Sequence, residues 1–317
     1  MPTFVVFGAA GRLGASTVHE LRAKNQTVRA VLHNASQAER FRSMGCEVAI
    51  ADLHDSNSIK AALSDAEAVQ VICPPNPRAA QPLQEMALIA DSFFRALAQV
   101  RPKLVVAISD YGAERDSKTG VTLAFHRLEK CLSELETPVT FVRSAEHMEN
   151  WRRVFGDVAQ TNLLPSMHHP LTKAFPTVSA ADVGRVTATL LRRPHPPKKR
   201  IVHVEGPTRI TAHDVAAAFK ELTEVTISAW EVPESEWAAR LIQGGVGPAY
   251  AQLVAELYTT HNQGLIDLEP GVGEVVYGTT TLPEAFRLLK TEWRGAFSAP
   301  RPDAAGTAPP PHPDGQR

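Results

Sequence analysis

The sequence predicts an α/β fold: a doubly wound parallel sheet with a smaller C-terminal α/β lobe. Three observations carry it. Short, almost wholly apolar runs recur, among them Phe4–Phe7, Leu104–Ile108 and Val139–Val142, as strands buried on both faces require. Helical segments alternate with them one for one as far as Ser144, and such alternation demands parallel pairing through right-handed crossovers. The first strand runs directly into Gly8-Ala9-Ala10-Gly11-Arg12-Leu13-Gly14, a glycine-spaced turn opening a helix, so the sheet is of Rossmann type.

In that turn Gly8 and Gly11 allow backbone conformations closed to other residues and a close approach to a ligand. The helix behind them, with Leu13, Thr17 and Leu21 on one face, offers unpaired N–H groups and the positive end of its dipole to a phosphate. Gly14 lets the helix lie close against its strand. The second strand, Thr27 to Leu32, ends in His33-Asn34-Ala35-Ser36, with no acid before Glu39. An acid at that place binds a free ribose 2′-hydroxyl, and its absence beside basic residues suits a 2′-phosphate. The pattern favours NADP(H), with NAD(H) possible, and makes Arg12, His33, Asn34 and Ser36 candidate phosphate contacts.

A helix over Ala38–Met44 leads to strand Glu47–Ile50 and to Asp52-Leu53, placed to meet the adenine. Asp55 caps a helix bearing Ile59 and Leu63. Strand Ala68–Ile72 ends in the rigid turn Cys73-Pro74-Pro75. A long amphipathic helix through Leu97 follows, then strand Leu104–Ile108 with Ser109-Asp110-Tyr111-Gly112 at its end. Helix Leu123–Leu135 precedes strand Val139–Val142, which ends Arg143-Ser144. Beyond Ser144 the alternation stops. Glu146 to Leu164 reads as helix, His168-His169-Pro170 as loop, and Ser179-x-x-Asp182 and Thr211-x-x-Asp214 as capping boxes. Strands are expected at Ile201–Val204 and Val225–Trp230, and helices around Ser235–Ile242 and Ala249–His261. The expected division is a nucleotide-binding domain over 1–144, with 175–205 returning to it, a substrate lobe from 145–174 and 206–297, and a disordered Pro/Ala-rich tail over 298–317.

Composition narrows the function classes. A net charge of −1 over 317 residues gives no electrostatic footing for nucleic acid or an anionic membrane. No apolar segment approaches the ~20 residues that span a bilayer. Cys46, Cys73 and Cys131 are odd in number and far apart, which suits reduced thiols in a cytoplasmic protein better than a disulfide framework or metal site. The adjacent His168 and His169 do not make a metal site either.

The ordered series FVVFGAAGRLG, VRAVLHN, ADLHD, VICPP, VVAISDYGA, HRLEK, FVRSAEHMENW and SAADVG, with the later IVHVEGP and TAHDVAAAF, resembles the NmrA-like branch of the atypical short-chain dehydrogenases/reductases over residues 2–290. The resemblance implies an NAD(P)(H)-binding domain with a small C-terminal lobe and a substrate cleft between them. Family members range from quinone and imine-type reductases to sensors that hold the nucleotide without turning it over. The chain departs from the better-understood enzymes at two places, the end of the second strand and the catalytic pair. Many relatives carry Arg where this chain has His33, and the Tyr and Lys of the short-chain reductases are replaced by Thr122 and His126.

The cofactor contacts expected from motif and resemblance together are Gly8, Ala10, Gly11, Arg12, Leu13, Gly14, His33, Asn34, Ser36, Asp52, Leu53, Cys73, Pro74, Pro75, Ser109, His126 and Ser144. His126 and Tyr111 are the candidate hydrogen-bond or proton donors; Asp110, in a place relatives often fill with Ser, receives no role. Tyr111, Glu146, His147 and Trp151 are expected to line the substrate pocket. The expected function is NAD(P)H-dependent reduction of a small conjugated acceptor such as a quinone, without a Tyr-Lys pair. The competing expectation is a non-catalytic redox sensor acting through a protein partner, and a homo-oligomer is also possible.

Overall fold

The computed structural model describes residues 3–193 and 197–289; part of the basic connector and the expected tail over 298–317 lie outside the described residues. Strands β1 (Thr3–Phe7), β2 (Thr27–Leu32), β3 (Glu47–Ile50), β4 (Ala66–Val71), β5 (Leu104–Asp110) and β6 (Val139–Ser144) are interleaved with helices α1 (Arg12–Ala23), α2 (Ala38–Ser43), α3 (Ser56–Ala62), α4 (Pro82–Val100) and α5 (Leu123–Ser133). The second half adds β7 (Glu146–His147), α6 (Phe155–Thr161), β8 (Leu163–Ser166), β9 (Thr177–Val178), α7 (Ala180–Leu191), β10 (Lys199–Glu205), α8 (Ala212–Thr223), β11 (Ser228–Glu231), α9 (Trp237–Gln243), α10 (Pro248–Asn262), β12 (Glu274–Tyr277) and α11 (Leu282–Leu288).

Eight strands form one parallel sheet in the order β12-β10-β6-β5-β4-β1-β2-β3. Alternation along β1 explains the two layers of helices, because successive side chains leave a strand on opposite faces. Phe4 and Val6 join a core with Leu13, Leu21 and Val183 of α1 and α7. Val5 and Phe7 join one with Ile59, Phe93 and Leu128 of α3, α4 and α5. Strand order reverses between β1 and β4, and ligands of such sheets bind beyond the carboxyl ends of the strands at that switch point.

Four local expectations are revised. Glu146–Leu164 is not one helix: Glu146 and His147 pair with Thr177 and Val178, Met148–Val154 is a 3-10 helix, and only Phe155–Thr161 is α-helical. Distant partners draw the first part out of the helix, since Glu149 accepts hydrogen bonds from Ser179 and the Ala180 amide. Ser179 caps α7, but Asp182 does not close a capping box; its carboxylate turns instead to the Thr280 amide and Arg185. The strand expected at Val225–Trp230 is Ser228–Glu231, paired with β8. Residues 274–277, expected in the second lobe, form β12 and extend the main sheet beside β10.

The rest of the second half builds its own core. Phe219 packs against Phe155 and Phe286, joining α8, α6 and α11. Trp237 and Tyr258 join α9 and α10. Helix α10 then leans onto the turn before α5: a Cβ on Gly120, whose φ is +55°, would lie 1.8 Å from the Leu253 carbonyl oxygen. Only a residue without a side chain admits that contact.

Candidate functional site

One cleft of about 920 Å³ runs from the glycine turn after β1, across the carboxyl ends of β4, β5 and β6, to the face of α10. At the glycine end, Gly8 takes a φ of +71° and its carbonyl accepts the Gly11 amide at 3.0 Å. A Cβ on Gly14 would lie 2.2 Å from the Gly8 carbonyl oxygen, so Gly14 sets how closely α1 approaches β1. Gly11 begins α1 with neither a side-chain cap nor an acid in the first turn. Its own Cβ would meet nothing nearer than 3.4 Å. The result is a concave backbone surface at a helix N-terminus with no carboxylate competing for it, and it fits a pyrophosphate.

Of the residues expected to touch cofactor, Gly8, Ala10, Gly11, Arg12, Leu13, Gly14, Cys73, Pro74, Pro75, Ser109 and Ser144 all line this cleft; His33, Asn34, Ser36, Asp52, Leu53 and His126 do not. Asn34 instead caps a 3-10 turn over Ala35–Gln37, accepting from the Ser36 amide at 3.0 Å. That turn carries the chain back so that Gln37 and Arg40, not read from the sequence, reach the wall of the cleft that Arg12 also lines. Asp52 accepts from the His54 amide and ring, and these bonds hold its carboxyl below the usual range. Cys73 is buried, and burial pushes its thiol up to about 12, an unreactive wall residue.

The candidate donors are placed differently from expectation. Tyr111 borders the cleft, but its hydroxyl donates to Glu205 at 3.0 Å. Burial, then Glu205, pushes that phenol well above the ordinary tyrosine range. His126 lies outside the cleft wall, with Nδ1 2.9 Å from the Ala113 carbonyl. The Ser109 hydroxyl turns away to Glu129 Oε1 at 2.6 Å, where Arg143 makes two further bonds to the same carboxylate. Trp151 does not line the cleft; it is buried in the second lobe's core near His168 and Phe175.

Glu146 and His147 do border the cleft. Glu146 Oε2 lies 2.8 Å from His168 Nε2, and Oε1 accepts from Tyr258 at 2.9 Å and Arg153 at 3.2 Å. Burial works to raise the Glu146 pKa, yet His168 and Arg153 hold it well below the carboxylate range, so it is a fixed negative charge. His147 is pushed down by burial, and His261 to about 4 by burial and His168; both rings are neutral at pH 7.

Asp110 is the residue the sequence reading passed over. It closes β5 at the cleft, only half-buried against solvent but enclosed by protein, and its Oδ2 accepts from the Thr122 hydroxyl at 2.6 Å. Burial pushes its carboxyl up to about 7, with the Thr122 bond opposing and Glu146 assisting. The strand-end position was the available signal. No group of three or more His, Cys, Asp or Glu suited to a metal occurs among the described residues, and no described helix is long and apolar enough to cross a membrane.

A parallel sheet with a glycine cradle at its switch point, covered by a small second lobe, defines the class of Rossmann-type nucleotide-binding proteins. Within that class the chain belongs to the NmrA-like family, whose model matches residues 2–277. It is 22% identical over 273 residues to an NAD(P)H azoreductase of Xenophilus azovorans, covering 84% of this chain and 92% of that one. Its fold is similar to an NADPH-dependent quinone oxidoreductase of Escherichia coli complexed with NADPH (19% identity, TM-score 0.73). It is also similar to the Citrobacter sp. triphenylmethane reductase complexed with NADP(H) (17% identity, TM-score 0.75). Each likeness covers 90% of this chain and 99% of the other.

Proposed function

We propose that this protein is an NADPH-dependent reductase of a small, planar, conjugated acceptor of the quinone or azo type, working without a Tyr-Lys pair. The carrying observation is the continuous cleft that joins the glycine cradle to a half-open chamber bordered by α10. Gly8–Gly14 and the N-terminus of α1 would hold the pyrophosphate. Arg12, Gln37 and Arg40, beside a β2 end that lacks an acid, would take the 2′-phosphate and so favour NADPH over NADH. Ser144, Ala145 and His147 border the nicotinamide end.

When bound, the nicotinamide supplies a hydride. The protein's part is to hold a flat acceptor against it and keep water out. Val121, Phe125, Val254 and Leu257 provide apolar walls, while Tyr250 and Asp110 bring polar groups to the same chamber. The family resemblance, the azoreductase relative and the fold shared with two dye- and quinone-acting reductases support this reading.

The test is NADPH oxidation followed spectrophotometrically against quinones, azo dyes and triphenylmethane dyes, alongside calorimetric titration with all four nicotinamide nucleotides. Turnover with at least one acceptor class, and tighter binding of NADPH than NADH, is expected. Nucleotide binding with no turnover across the panel would overturn it in favour of a sensor role.

A further inference from the structure

We propose that Asp110 is the proton donor of this site, which equips the protein for neutral acceptors, such as azo compounds, whose hydride adduct is an anion. The inference rests on the reductase reading above and adds to it the source of the proton and the acceptor class that needs one.

Asp110 is held in place through Thr122. Its Oδ2 accepts from Thr122, itself buried, and the turn carrying Thr122 is pinned under α10 by the contact at Gly120. The groups acting on its carboxyl come from every neighbouring element: Glu146 of β7, Glu114 of the loop after β5, Thr122 before α5 and the Tyr111 amide, with Asp110 in turn acting on the Tyr250 phenol of α10. Across the chamber Arg153 is engaged by Glu146 and Tyr258, and His147 and His261 are neutral. With a pKa of about 7, Asp110 is substantially protonated near neutrality, where a general acid is most effective. The alternatives are engaged or weaker: Tyr111 donates to Glu205, Tyr258 donates to Glu146, and burial pushes Tyr250 up to about 12.

The step balances. One azo nitrogen gains the hydride from NADPH with its electron pair, the N=N π bond breaks towards the other nitrogen, and that nitrogen takes the proton from the Asp110 carboxyl. The products are a hydrazine, NADP⁺ and an Asp110 carboxylate, which recovers its proton from solvent. A cationic triphenylmethane dye differs in one respect: hydride addition to its central carbon gives a neutral product and needs no proton.

The two dyes therefore form the test. Wild type and Asp110→Asn are compared at pH 6 and saturating NADPH with a neutral aminoazobenzene dye and a cationic triphenylmethane dye. Asparagine keeps size and polarity but has no acidic proton. The expected result is a fall in kcat for the azo dye about 100-fold or more beyond any change for the cationic dye. The wild-type azo kcat should fall as pH rises through about 7, with no such limb for the cationic dye. In Thr122→Val, which removes a bond favouring the charged form, that limb should move to higher pH. An Asp110→Asn azo rate within about threefold of wild type, an equal fall for both dyes, or an unmoved limb in Thr122→Val would each overturn the donor role while leaving the reductase reading intact. A wild type that binds NADPH but reduces neither dye overturns this inference, and if it reduces no quinone either, the reductase reading falls with it.

Discussion

The Tyr111 hydroxyl donates to Glu205 Oε1 at 3.0 Å, and the same carboxylate is gripped by Arg209, which also holds Asp267. A residue placed by sequence beside the reacting centre is therefore committed to a bridge between the sheet and the segment following α10. The relationship is structural, and it can be separated from catalysis.

Tyr111→Phe leaves the buried Glu205 with Arg209 as its partner, so the cost sits at the lower end of that for breaking a buried hydrogen bond, about 1–2 kcal/mol. Chemical denaturation should show this loss. The pH dependence of turnover should stay as in wild type, because the phenol is not the group that titrates.

Two glycines of the cradle should separate folding from binding. Gly14→Ala puts a methyl against the Gly8 backbone, its Cβ 2.2 Å from the Gly8 carbonyl oxygen; forcing apart packed backbone costs about 1–3 kcal/mol and displaces the cradle. Gly11→Asp meets no such clash and supplies a favourable helix cap, so stability should stay within a few tenths of a kcal/mol or rise. Its carboxylate would stand in the phosphate position, and calorimetry should find no nucleotide binding. Normal binding by Gly11→Asp would mean that the cradle is not the pyrophosphate site.

Arg40 lies over the Phe41 ring, 5.5 Å from its centroid, at the cleft wall. Arg40→Ala should weaken NADPH by about 10- to 100-fold, the worth of a charge-assisted bond to phosphate. NADH, which lacks the 2′-phosphate, should bind as before. Parallel titrations with both nucleotides decide it.

Asp110 should also leave a mark on stability. Its folded pKa of about 7 lies above the ordinary value of 3.8, so the folded form binds the proton more tightly than the unfolded chain. Below pH 4 both states are protonated and nothing is lost; between about 4 and 7 the unfolded state ionises first and folding becomes less favourable; above 7 the loss is complete. Asp110→Asn should match wild type near pH 4 and exceed it at pH 8, by a margin of order 2–4 kcal/mol. Urea denaturation at the two pH values measures the difference.

The sheet was legible because its strands are nearly uniform apolar runs and each helix carries its own periodicity. Thr27–Leu32 and Glu47–Ile50 were found to the residue. The cradle was legible because a turn, a strand and a helix coincide within Phe4–Gly14. What escaped depends on contacts far apart in the chain. Glu146 and His147 leave a helical pattern for partners at Thr177 and Val178. Glu146 meets Tyr258 across 112 positions, and Tyr111 meets Glu205 across 94. Arg40 escaped for a local reason: the 3-10 turn after Asn34 brings a residue beyond the strand end back to the cleft, and no period in the sequence announces that reversal.

Helix α1 does not rest on the first half of the chain alone. A Cβ on Gly184 would lie 2.4 Å from the Leu13 carbonyl oxygen, while Ser16 and Thr17 donate to the carbonyls of Ala181 and Gly184. The helix that presents the cradle is thus seated by residues some 165 positions later. During synthesis the first six strands emerge from the ribosome before α7 exists to receive α1. A chain cut after Ser144 holds every glycine of the motif and still lacks the surface on which α1 rests.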